Sequence, residues 1–341
     1  AKTDPFLEQL LGRGATPSRP AAAAAAAARD GVDGFIRSLD APHIVAGIDP
    51  QLPQFLSAVD TAITDTMRAL LHDAAFQRLE ALWRGVHGLL SAIEEEGVEV
   101  SLLPLTDEEL RAEAGSDRAL GGRLSARGAD RSPWSVVVLD AAFGPSAGDL
   151  ETLRDLAAVA ARADTTVLAA ASGALVGCTD LREQSDPRTW TALPDDVAPL
   201  WAGLRAAPGG RALGLTWPRI LLRSPYGVKA DPIDAFEFEE IATSRDHEDF
   251  LWGNGAFAAA RVMMQAYLGS PADPEGEIGD LPAFTYDEDG ETTRKPCAEF
   301  CMPRQAAEAL LDRGFIPLAS YQDRNAVRLL RLQSIAAAAI D

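Results

Sequence analysis

The chain has 341 residues, 47% of them apolar and 24% charged, an ordinary composition for a globular chain long enough for two domains or one large one. Its 51 acids against 31 bases leave a formal charge of −20 with no compensating basic patch, which argues against nucleic acid or an anionic lipid surface as a partner. No run approaches the ~20 apolar residues of a membrane span, the three cysteines make no disulfide framework, and AKTDPFLEQLL is no signal peptide, so a reducing, cytoplasmic setting is expected.

Residues 4–11 form a short amphipathic helix candidate, with Phe6, Leu7, Leu10 and Leu11 on one side and Asp4 available as a cap before Pro5. GRGATPSRPAAAAAAAARD comes next; it is low in complexity and cannot build a core, although its alanines favour helix. A short apolar helix beyond such a tether either presents a docking peptide or folds back on its own domain. Helical patterns return at 31–39 and 51–71, and again from 73 to about 95. In this last segment Phe76, Leu79, Trp83, Val86, Leu90 and Ile93 step by threes and fours, which marks one helix face and predicts a seam covered by another helix or a sheet.

The period then changes. VEVSLLPL (98–105), SVVVLD (135–140) and TTVLAAAS (165–172) read as strands, separated by helical segments at 106–114 and 147–163. Alternation of this kind predicts parallel βαβ units, and Thr106 followed by Glu109 has the spacing of a capping box. Between 180 and 232 the chain is rich in proline and tryptophan, and Pro218 and Pro225 break the strand in RALGLTWPRILLRSPYG. FLWGNGAFAAARVMMQAYL (250–268) reads as a helix, SPADPEGEIGD (270–280) as a loop, CAEFCMP (297–303) as a strand, RQAAEALLDRG as a helix ended by Gly314, and FIPLASY as a strand. The expected fold class is α/β: a helical N-terminal region, then a βαβ-containing mixed sheet flanked by helices. The expected divisions are a docking helix and tether over 1–30, a helical region over 31–96 and an α/β region over 97–341, with a further boundary near 180–215.

Chemistry is sparse. Asp140 ends a predicted strand where open α/β sheets bind ligands, but AAFGPSAGD after it is no phosphate loop, and a helix-cap or loop-bonding role competes with a catalytic one. His43, His72, His87 and His247 have no metal-ligand spacing, Cys297 and Cys301 lack a second pair, and no serine sits in a nucleophile elbow. Glu237, Glu239 and Glu240 alternate with Phe236 and Phe238, as on an exposed strand face. Trp190, Trp201, Trp217 and Trp252 read as core or interface fillers. For Arg219 and Arg223 the choice is between a neighbour's carboxylate and a surface ion pair. No catalytic residue, cofactor or metal is assigned.

Several blocks, in one order, resemble the large contractile-sheath subunit of type VI secretion systems, the TssC or VipB family. HDAAFQRLEALWRGVHGLL carries Phe76, Leu79, Glu80, Trp83, Arg84 and Gly85; the PRxLxRxPYG block carries Pro218, Arg219, Arg223, Pro225, Tyr226 and Gly227. FEFEE and LWGN, the latter with Trp252, Gly253 and Asn254, and RGFIPLASYQDRNAVRLLRLQS complete the series. The resemblance implies a structural protein with a contractile-sheath-like fold that pairs with a small, TssB-like sheath subunit and with copies of itself around an inner-tube protein. It further implies that Phe6, Leu7, Leu10 and Leu11 form a helix taken by the AAA+ unfoldase ClpV. SPADPEGEIGD departs from the family's glycine- and tryptophan-bearing block, and the family's further domain, whose strands interlock neighbouring subunits, is expected to be lacking after QSIAAAAID. A non-polymerising adaptor, cap or regulator, and an α/β enzyme using Asp140, are the alternatives.

Overall fold

Val167, Ala169 and Ala171 of the strand Thr166–Ala171 enter one hydrophobic cluster and Leu168 enters another, so the strand's period of two divides the interior into two cores. The computed structural model describes residues 51–93, 97–116, 119–125, 134–228, 230–234, 236–241, 246–268, 276–282, 284–288 and 291–339. The expected docking helix, the alanine-rich tether and the helix at 31–39 lie outside them. Two units divide the chain, Ala1–Val59 and Asp60–Asp341. Of the first, only residues 51–59, at the start of helix α1 (Leu52–Leu71), are described.

The elements of the second unit after α1 are, in order, α2 (Ala74–Leu90), α3 (Asp107–Ala114), α4 (Ala119–Ser125), β1 (Val136–Phe143), α5 (Ala147–Ala163), β2 (Thr166–Ala171), the one-turn α6 (Gly173–Val176) and α7 (Ala198–Ala206). Then come β3 (Leu213–Trp217), β4 (Ile220–Leu221), β5 (Trp252–Gly253), α8 (Gly255–Tyr267), β6 (Glu277–Ile278), β7 (Phe284–Glu288), β8 (Glu291–Lys295), α9 (Arg304–Asp312), β9 (Ile316–Ser320) and β10 (Val327–Leu329). The main sheet has the order β1-β2-β3-β9-β10-β6. Its first four strands are parallel, as the alternation predicts, and its last two are antiparallel additions, which makes it the mixed sheet of the expected fold class. Leucines and alanines of α5, with Leu204 of α7 and Leu310 of α9, fill the core containing Val167; the alanines of α8 fill the one containing Leu168.

Local chemistry explains several boundaries. Thr106 and Glu109 close the expected capping box at α3, Ser146 caps α5, and Asp164 ends it in the left-handed region at φ 54. Gly314, at φ 87, turns the chain after α9. Trp201 stacks on Phe315 with ring centres 5.5 Å apart, and all four candidate tryptophans are buried.

Other expectations are corrected. Residues 98–105 are not a strand: Val100, Leu102 and Leu103 are exposed and pair with no described strand, since aliphatic composition without an available edge does not make a ladder. Residues 297–303 hold only one bridge, Ile220 to Ala298. SPADPEGEIGD contains β6, which adds to the sheet edge. The predicted helix at 250–268 begins only at Gly255, because Trp252 and Gly253 pair with β4 and Asn254 caps the helix by accepting from the Ala256 N–H. FEFEE is not a strand, and one of its carboxylates is buried.

The seam on α2 is the largest departure. Leu79 and Trp83 are 54% and 57% exposed and Leu90 is also open, while Gly85 and Val86 are buried. Helix α2 meets α8 through its small residues: a Cβ on Gly85 would lie 2.8 Å from the Phe257 ring. Close approach of the helices therefore turns the large apolar side chains outward.

Candidate functional site

Glu80 of α2 sits one helical turn before Arg84 and accepts from its Nε at 2.8 Å, an ordinary i,i+4 pair. Arg223, from the loop after β4, extends this pair into a buried network. Its Nε donates to the same Glu80 oxygen at 2.8 Å, and its two Nη groups donate to Glu240 at 2.6 and 2.9 Å. The side chains of Arg223 and Glu240 are only 5% and 1% exposed. Burial opposes the charge on Arg223, but the bonds to Glu240 and Glu80 outweigh it and raise its pKa. The guanidinium also lies 4.6 Å from the Tyr226 ring centre, and the Tyr226 N–H donates to Glu240. Gly227 completes the clasp: a side chain there would strike the Glu239 carboxylate, which accepts from the Val228 N–H.

A second junction surrounds Arg219, directly after the cis Trp217–Pro218 bond. Its Nε donates to Glu299 at 2.8 Å and its two Nη groups to Glu248 at 3.1 and 2.7 Å; the Arg219 N–H adds a bond to Glu299. His247 Nε2 lies 3.0 Å from Glu299, and its ring is stacked between Trp252 and Phe300. Burial of Glu299 raises its pKa, yet His247 and Arg219 together bring it down to about 2. His247, Glu248 and Glu299 are metal-ligand types within 4.8 Å of one another. Arg219 bonds both carboxylates, so a guanidinium supplies the positive charge that a metal would bring.

Between α2, β1 and the Arg219–Glu248 pair of the second junction lies a cleft of about 490 Å³. Ala74 and Ala81 of α2, Ala141 and Ala142 of β1, Phe250 and Trp252 form its apolar wall, and Asp140 faces it. Strand β1 runs on to Phe143, so Asp140 is internal to it rather than terminal, and the loop's own bonds are made by Ser146 and by Asp149, which accepts from the Gly144 N–H. The cap or loop-bonding role considered for Asp140 thus belongs to those two. Burial raises the Asp140 pKa, against the opposing influence of Arg78 and of the Asn254 amide. Asn254 donates to the carbonyls of Leu139 and Ala141 across the irregularity in β1, which fixes the cleft's floor.

The signature blocks therefore converge. Glu80, Arg84, Arg223, Tyr226 and Gly227 meet in one network, Arg219 and Trp252 in the other, and Asn254 joins them to β1. Phe76 is half-buried on α2, whereas Leu79 and Trp83 lie outside both networks. Arg219 and Arg223 both bind acids of their own chain. Sequence reasoning missed Glu248 and Glu299, placed Glu240 on an exposed strand face, and gave His247 no partner. One signal was present: Glu299 stands among Cys297, Ala298 and Phe300, and an acid in so apolar a setting calls for a buried cation.

Comparison with known proteins gives two findings. The family model "EvpB/VC_A0108, tail sheath N-terminal domain" matches residues 54–120 and 127–336. The type VI secretion system sheath protein TssC1 of Pseudomonas aeruginosa is 28% identical over 306 residues, covering 83% of this chain and 61% of the relative. The chain thus spans about three fifths of the length of the curated relative it matches.

Proposed function

Since the chain belongs to this tail sheath family, we propose that it is a non-catalytic structural subunit of a type VI secretion-like contractile sheath, working in the cytoplasm. The family match over most of its length carries the reading. It would pair with a small, TssB-like subunit and stack with its own copies around an inner tube, so that its function resides in interfaces rather than in bond chemistry. Two features support this. Buried arginine–carboxylate networks give the second unit fixed internal geometry, and Ile63, Leu70, Leu79, Trp83 and Leu90 form large exposed apolar side chains suited to coverage by another chain.

Residues 1–30 would add a handle for an AAA+ unfoldase of the ClpV type, through Phe6, Leu7, Leu10 and Leu11. Co-expression with the small sheath subunit encoded nearby, followed by purification and electron microscopy, tests the assembly. Tubes or rings containing both chains are expected. A monomer that leaves the small subunit unbound overturns the reading, and a stable heterodimer that never polymerises replaces it with the adaptor. Deletion of residues 1–11 should abolish unfoldase binding while leaving assembly intact.

A further inference from the structure

The cleft beside β1 holds three arginines, and each is engaged elsewhere. Arg78 donates to Asp107, Arg111 to Asp149, and Arg219 to Glu248 and Glu299. Among the described residues Asp140 alone of the lining acids makes no ion pair with a side chain of the chain itself. It is half-buried, between small alanines that leave room and the aromatic side chains of Phe143, Phe250 and Trp252. The Asn254 amide and, without an ion pair, Arg78 offset only part of the cost of burying its charge, and a cation brought to it in a partly desolvated cleft recovers the remainder.

We propose that this cleft is a docking socket for an arginine side chain presented by a neighbouring protein chain, with its guanidinium on Asp140 and its stem along the alanine and aromatic wall. Arginine fits better than lysine because a planar guanidinium bonds a carboxylate through two donors and packs against aromatic rings. A volume of about 490 Å³ exceeds one side chain and accommodates the flanking backbone that carries it. The formal charge of −20 favours a partner with a basic docking face over a second copy of this chain. The inference rests on the sheath reading only for the identity of the chain that supplies the arginine.

Two measurements on the full chain separate the inference from that reading. In the first, nuclear magnetic resonance titration compares Ac-Ala-Arg-Ala-NH2 with the neutral, near-isosteric citrulline peptide. At least tenfold weaker binding of citrulline is expected, with the preference lost in Asp140→Asn and both peptides excluded by Ala142→Trp, which fills the cleft from its exposed rim. Equal binding of the two peptides to the wild type, or an undiminished preference in Asp140→Asn, overturns the socket. In the second, the small sheath subunit is the probe, and either variant should weaken its binding at least tenfold. Full affinity in both variants overturns the protein-borne occupant, as does self-association through Asp140 in its place. Should the wild type fail to bind the small subunit at all, the sheath reading falls, and the peptide titration alone decides whether Asp140 takes a guanidinium.

Discussion

Lys295 ends β8 with its ammonium 4.2 Å from the Phe250 ring centre and 5.4 Å from that of Trp252. Burial, with Arg182 nearby, lowers its pKa to about 8 against the pull of Glu299, Asp180 and Glu248. Between about pH 8 and the ordinary value of 10.5 the unfolded chain holds the extra proton, so stability rises with pH across that window as the cost of the buried charge is relieved. Lys295→Met should therefore stabilise the protein by about 1–3 kcal/mol at pH 7 in thermal melts, less whatever the aromatic contacts contribute, and the gain should vanish near pH 10.5. Glu299 has the opposite sign. Its carboxyl is held at about 2, below the ordinary 4.5, so its contribution is complete above pH 4.5 and lost as pH falls toward 2. Glu299→Gln should cost about 2–4 kcal/mol at pH 7, and the gap between variant and wild type should close on acidification.

Among elements, α2 is joined to the polypeptide after β4 by charge and to α8 by shape. Removing Arg223 leaves Glu80 and Glu240 buried without their shared cation, so Arg223→Ala should cost about 3–5 kcal/mol in urea unfolding. A triple change, Glu80→Gln with Arg223→Met and Glu240→Gln, should cost less than that single one, because no uncompensated charge remains. Gly85→Ala tests the other joint. Its Cβ would meet the Phe257 ring at 2.8 Å, and separating α2 from α8 should cost about 1–3 kcal/mol. These elements were partly legible in the sequence. The capping box at Thr106 and the alternation of β1, α5 and β2 depend on residues close in the chain, and so could be read from spacing. The true start of α8 was not, because Trp252 and Gly253 take strand geometry only when β4 lies beside them.

Across the whole molecule, the outward face of α2 is the clearest statement of incompleteness. Leu79 and Trp83 contribute little to the chain's own core, so Leu79→Gln with Trp83→Ala should leave the unfolding free energy within about 1 kcal/mol of wild type. On the sheath reading proposed above, the same double variant should weaken association with the small sheath subunit at least tenfold, measured by co-purification. Tryptophan is a preferred anchor of such interfaces, and a 57% exposed one offers much area for a partner to bury.

Residue spacing alone determined the α/β class, most helices, the capping box of α3, the parallel strands β1 and β2, and the blocks that resemble a sheath subunit, because each depends on local periodicity or on a run of neighbouring residues. The tertiary structure alone decided which face of α2 is inside and that Arg219 and Arg223 are held by acids of their own chain. It also decided that Asp140 faces a cleft whose three arginines, Arg78, Arg111 and Arg219, are each paired with other acids. Each of these depends on groups distant along the polypeptide: Glu80 and Arg223 are 143 residues apart, and Arg219 and Glu299 are 80. A periodic pattern marks a face as apolar, but only packing determines whether the chain covers that face itself or leaves it for another to cover.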